Sequence, residues 1–92
     1  MYSYKNERMY VEKENFIRNI ENAIIHDPGS EVVKIQYMRN FKGCPEVLLI
    51  MFVGGGYKYI NITSNSNGAN MKVITAAVYG GEYLGEIENG FK

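Results

Sequence analysis

The spacing of apolar and polar positions changes several times along the chain. Tyr2, Tyr4, Met9, Tyr10 and Val11 flank the polar run Lys5–Arg8, which reads as a short hairpin or extended arm over residues 1–11. From Glu12 the period becomes helical. Phe16, Ile17, Ile20, Ala23 and Ile24 recur at steps of three and four, which predicts a helix over residues 12–26. Glu12 and Glu14 fall in its first turn, where negative charge suits the positive end of the helix dipole. His26-Asp27-Pro28-Gly29 ends it, because Pro28 biases Asp27 away from helical backbone and Gly29 supplies a turn.

Three strands follow. Residues 31–39 (Glu-Val-Val-Lys-Ile-Gln-Tyr-Met-Arg) alternate and are β-branched. Residues 46–53 (Glu-Val-Leu-Leu-Ile-Met-Phe-Val) are apolar on both parities, as expected of a central strand. Gly54-Gly55-Gly56 turns the chain into the strand 57–63, since hairpin turns need positive φ and glycine adopts it freely. Residues 70–79 fit either a strand or a helix by apolar spacing. Ser66 or Asn67 as an N-cap and Gly80-Gly81 as a C-terminal stop decide for a helix. Tyr83, Leu84, Ile87 and Phe91 suffice for a short strand or a packed tail over residues 80–92.

The predicted fold is α+β: a three-stranded antiparallel sheet with two helices on one face (α-β-β-β-α), with extra short strands possible at the termini. A six-residue first loop sets Arg39 opposite Glu46, Tyr37 opposite Leu48, Ile35 opposite Ile50 and Val33 opposite Phe52. A three-residue glycine turn sets Val53 opposite Tyr57, Met51 opposite Tyr59, Ile50 opposite Ile60 and Leu48 opposite Ile62. Both hairpins assign Val33, Ile35, Tyr37, Leu48, Ile50, Phe52, Ile60 and Ile62 to the helix-packed core. The other face receives Val47, Leu49, Met51 and Val53 in one outward row, with Tyr57 and Tyr59 beside it and Val32, Lys34, Gln36 and Met38 on the first strand. A two-layer domain ordinarily turns a polar face outward. An apolar row of several hundred Å² marks an interaction site, so a partner, a second copy or the terminal segments are expected to cover it.

Composition narrows the class. Ninety-two residues, 46% apolar and 22% charged, make one globular domain with a thin core. Ten Lys and Arg balance ten Asp and Glu, which argues against a protein devoted to coating phosphate backbones. The longest apolar run, Val47–Val53, is too short to span a membrane, and the first residues lack a signal-peptide core. A cytoplasmic protein is expected. The single cysteine excludes an intramolecular disulfide. Eight Tyr without a Trp fit an A/T-rich coding bias, and they also supply rigid contact area for recognition.

Candidate chemistry is sparse. Cys44 follows Lys42-Gly43, and a nearby cation lowers a thiol pKa, yet a nucleophile also needs a base. The one histidine, His26, lies at the far end of the first helix. One His and one Cys fall short of a zinc ligand set, so no metal or cofactor is expected. Gly54–Gly56 is followed by Tyr57-Lys58-Tyr59, a strand, and lacks the Gly-Lys-Ser/Thr and helix of a phosphate loop. Arg39, Lys42, Lys58 and Lys72 outweigh Glu46 in the middle of the chain, while Glu82, Glu86 and Glu88 make its end acidic. Interleaved with tyrosines, the cations offer a weak nucleic-acid edge. Direct nucleic-acid binding is not the favoured reading.

The run from Tyr57 to Ala69 (Tyr-Lys-Tyr-Ile-Asn-Ile-Thr-Ser-Asn-Ser-Asn-Gly-Ala), leading into the Met71–Val78 helix, resembles a pattern in small phage and prophage proteins. There a strand ending in Asn-Ile/Val-Thr passes through a capped turn into an amphipathic helix. The Glu46–Val53 strand with its glycine turn is similar to the other half of that pattern. The similarity spans about residues 31–79, although the helix here is more apolar and Ala-rich. Some proteins of this helix–three-strand–helix shape are anti-CRISPR proteins, which bind a Cas effector and block it. The shared motifs are structural, so the resemblance implies a class of partner and assigns no inhibitory residue.

The expected function is therefore a non-catalytic, phage-derived binding protein that occludes a host protein, such as a defence nuclease complex. Tyr57, Tyr59, Met51 and Leu49 are the expected contact residues, with Lys58 and Arg39 on the rim. Two alternatives stay open. One is an oligomeric small-molecule or nucleotide sponge built from Gly54–Gly56, Lys58 and stacked tyrosines; the other is a weak single-strand binder using the same edge. The apolar row also predicts a homodimer through that face.

Overall fold

The computed structural model describes residues 4–80 and 87–91, with side chains for residues 7–80. In chain order these form α1 (Tyr4–Ile25), β1 (Val32–Phe41), β2 (Cys44–Phe52), β3 (Gly56–Asn61), α2 (Asn67–Tyr79) and β4 (Ile87–Phe91). The strands make one antiparallel sheet in the order β1-β2-β3-β4. The predicted α-β-β-β-α unit is present, and the short C-terminal strand extends the sheet beyond β3. Tyr83 and Leu84 of the predicted tail lie outside the described residues.

Helical periodicity decides what is buried. Ile17, Ile20 and Ile24 from α1 and Val73, Ile74 and Ala77 from α2 meet Ile35, Tyr37, Leu48, Ile50, Ile60 and Ile62 on one face of the sheet. Leu48, Ile50, Ile60, Ile62 and Ile74 are wholly inaccessible. Each such side chain contributes about 1.5–3 kcal/mol relative to exposure. Ser66 caps α2, its hydroxyl accepting from the Ala69 N–H at 3.1 Å. Gly80 stops α2 at a φ of 86°, its N–H donating to the Ala76 carbonyl.

Three expectations are corrected. Residues 4–11 form no arm or hairpin; they are the first turns of α1. The apolar stripe does continue toward the N-terminus through Tyr10, but the position between Tyr10 and Ile17 is occupied by Lys13. That lysine is only 7% exposed. A cation inside the stripe interrupts the periodic signal, and the residue that makes it tolerable, Glu46, lies 33 positions away.

The second correction concerns β1. Tyr37↔Leu48 and Ile35↔Ile50 pair as expected, then a bulge between Val32 and Lys34 places Val32 opposite Phe52. The extra residue turns Val33 outward to 49% exposure and brings Val32 into the core. The third is the β2–β3 turn. Met51 pairs with Tyr57 and Leu48 with Ile60, a slip of two residues from the expected pairing. A two-residue slip preserves the side-chain parity of a strand, so both faces keep their membership.

Candidate functional site

The informative region is the sheet face opposite the helices. Leu49 on β2 pairs with Gln36 and Tyr59, and Met51 pairs with Lys34 and Tyr57. Alternation therefore gathers Leu49, Met51, Tyr57 and Tyr59, the four expected contact residues, on one patch. All four are half-buried. Among the described residues no helix packs on this side, since both helices direct their buried stripes into the opposite core.

The apolar row is shorter than expected. Val47, between Met38 and Asn61 in register, is only 3% exposed although it lies on this face. Val53 is 69% exposed but sits beyond the end of β2, in the turn. The patch has instead gained an aromatic wall. Asn40 adopts a φ of 56°, which asparagine tolerates better than most residues. Phe41 thereby reaches Tyr59, with ring centroids 5.2 Å apart. Tyr57 meets Tyr59 edge-to-face at 5.1 Å. The hairpin turn Lys42-Gly43, both with positive φ, brings the Lys42 ammonium to 4.5 Å from the Tyr59 ring centroid.

Lys58 and Arg39 do not border this patch. Lys58 pairs with Ile50 and so points to the helix side, where its ammonium donates to the Ala77 carbonyl at 2.8 Å near the C-terminal end of α2. Arg39 also faces α1, with its guanidinium 3.8 Å from the Tyr10 ring centroid and 3.2 Å from a Glu7 oxygen. Among the described residues, the cations beside the patch are Lys42, from its ring contact, and Lys34, from its register opposite Met51.

A polar cluster that sequence reasoning missed ties the two layers together on the other side. Glu46, 3% exposed, accepts on Oε1 from Lys13 at 2.9 Å and from the Tyr37 hydroxyl at 2.7 Å. Its Oε2 accepts from the Ser64 N–H at 2.7 Å. Burial pushes this carboxyl up, but the hydrogen bonds from Tyr37, Lys13 and Ser64 outweigh it and leave the group below its ordinary 4.5. Burial and the bond to Glu46 drive the Tyr37 hydroxyl well above its ordinary 10.0. The chemistry of the cluster is structural: every acceptor atom already holds a donor from α1, β1 or the segment entering α2.

The remaining candidates are dispersed. Cys44 is a half-buried free thiol opposite Phe41 in the hairpin. His26 lies at the end of α1, its Nδ1 donating to the Asn22 carbonyl at 2.7 Å. No group of three or more His, Cys, Asp or Glu that could hold a metal occurs among the described residues. Gly54 and Gly55 have φ of 92° and 96° and form a hairpin turn. A groove of about 350 Å³ runs between that turn and α2, lined in part by Glu31, Phe52, Lys58 and Ala77. Its one ammonium is held by a carbonyl at the negative end of a helix, an arrangement unsuited to phosphate. No described helix is long and apolar enough to cross a membrane.

No family model matches the chain, and neither a curated protein nor a solved structure is significantly similar to it.

Proposed function

We propose that this chain is a non-catalytic, phage-derived binding protein that acts by occlusion, docking the helix-free sheet face on a host protein. The observation that carries this reading is the patch itself. Leu49, Met51, Tyr57 and Tyr59 stand together on a face that no described helix covers. An apolar centre with aromatic residues is the composition of interface cores, and tyrosines orient contacts through a hydroxyl while contributing large apolar area. The likeness of the Tyr57–Ala69 segment to small phage proteins supplies the class of target: a Cas effector or another defence nuclease complex.

Occlusion asks little of the protein beyond a rigid platform. The buried Glu46 cluster and the isoleucine core hold the sheet flat against its helices, so the patch is presented with little ordering cost on binding. The test is inhibition with a matched variant. Wild-type protein is added to a CRISPR nuclease reaction, beside Leu49→Asp/Met51→Glu protein of unchanged circular dichroism. Dose-dependent loss of target cleavage with the wild type alone supports the reading. Equal inhibition by both proteins places the interface elsewhere, and no inhibition across the nuclease types tested removes the proposed target class.

A further inference from the structure

We infer that the partner surface received by this face is acidic around an apolar anchor, with its carboxylates meeting Lys42 and Lys34 and its apolar side chain resting on Leu49, Met51 and the Tyr57–Tyr59 pair. This rests on the binding function proposed above. Three cations between the sheet and the helices are already engaged: Lys13 by Glu46, Arg39 by Glu7, and Lys58 by the Ala77 carbonyl. Among the described residues, the Lys42 ammonium meets the rings of Phe41 and Tyr59 and makes no hydrogen bond or ion pair. The Lys34 ammonium makes no hydrogen bond or ion pair among the described residues. Within residues 7–80 the face carries no Asp or Glu, and β4 adds one acidic position, Glu88, in register with Tyr59. Among the described residues, two cations against one acidic position leave the patch with a positive bias that an acidic surface complements.

Two other occupants fit less well. A single strand of nucleic acid needs open ring faces on which bases stack. Here Tyr57 and Tyr59 meet at an interplanar angle of 68°, and the Tyr59 ring is approached by Phe41 and by the Lys42 ammonium. A second copy across a two-fold axis would set the same cationic face against itself.

Three probes separate these cases: a random copolymer of glutamate and tyrosine, a thymidine 20-mer, longer than the roughly 4–16 nucleotides a single-strand groove accommodates, and the protein alone by sedimentation. The wild type is expected to bind the copolymer and to lose affinity as salt rises from about 50 to 500 mM. Lys34→Ala/Lys42→Ala protein, substituted at exposed side chains, is expected to bind about fivefold to tenfold more weakly. No copolymer binding, or equal binding by the double variant, overturns the inference. So does tighter binding of the thymidine 20-mer, which makes the face a nucleic-acid platform, or a dimer that Met51→Glu dissociates. In the nuclease assay, the lysine variant inhibiting as well as wild type while Leu49→Asp/Met51→Glu fails would overturn the acidic partner alone. Full inhibition by both variants would overturn the docking face as well.

Discussion

The Lys13 ammonium lies 2.9 Å from Glu46 Oε1, and both side chains are more than nine-tenths buried. The pair joins the middle of α1 to the start of β2, and Tyr37 and the Ser64 N–H complete the shell around the carboxylate. Removing one member of a buried pair leaves the other as an uncompensated charge, which costs about 3–5 kcal/mol. Lys13→Met is therefore expected to lower the unfolding free energy by that amount, read as a lower urea midpoint with an unchanged dependence on urea. A change below about 1 kcal/mol, the level of an exposed pair, would show that the two groups are solvated.

The same cluster sets a pH dependence with a definite sign. The folded Glu46 carboxyl lies below its ordinary 4.5, so its contribution is complete above 4.5 and is lost as pH falls through the lower folded value. The Tyr37 hydroxyl lies above its ordinary 10.0, so its contribution is complete below 10.0 and is lost as pH rises through the higher folded value. Thermal melts should find stability from these groups level between 4.5 and 10.0 and falling on both sides. Glu46→Gln protein should lose part of the acid limb. An acid limb identical to wild type would assign the effect to other carboxylates.

Asn70, in the first turn of α2, is fully buried, and neither its Nδ2 nor its Oδ1 has a hydrogen-bond partner among the described residues. Unpartnered buried polar groups cost about 1–3 kcal/mol each. Asn70→Leu keeps the branching at Cγ and removes both atoms, at some cost in added bulk. A net gain of about 1 kcal/mol is expected, which raises the melting temperature by about 4–8 °C in a domain of this size. A fall in melting temperature would mean that the amide is satisfied in solution, by water or by another group.

Surface chemistry on the helix-free face should be nearly independent of the fold. Lys42→Ala removes the contact over Tyr59, worth about 0.5–1 kcal/mol at an exposed site. Arg39→Ala removes both the stack on Tyr10 and the Glu7 contact on the opposite side. The first is expected to weaken partner binding with little change in melting temperature, and the second to lower the melting temperature with no change in binding. The reverse pattern would return Arg39 to the interface.

Alternation makes the two sheet faces legible in the sequence. Leu48 and Ile60 belong to the core, and Leu49 and Tyr59 to the other face, whichever of two turn lengths is chosen, because a slip of two residues leaves parity intact. By the same logic Lys58, between Tyr57 and Tyr59, belongs with the core-facing positions and could not border the patch. Parity failed where the backbone departs from a regular strand. The bulge at Val33 exchanges it with Val32, and the positive φ of Asn40 sends Phe41 toward Tyr59. The start of α1 was hidden for a different reason. Lys13 is a core residue only because Glu46 is there to receive it, and nothing in the spacing of either residue announces the other.

The docking face is tested most directly by co-purification from a CRISPR-bearing host with three tagged baits: wild type, Leu49→Asp/Met51→Glu, and Arg18→Glu on the exposed side of α1. Wild type and Arg18→Glu are expected to retain one nuclease component in stoichiometric amount, and the face variant to lose it with its fold intact. Retention of that component by Leu49→Asp/Met51→Glu, or its loss with Arg18→Glu alone, would contradict the assignment of the helix-free face as the site of occlusion.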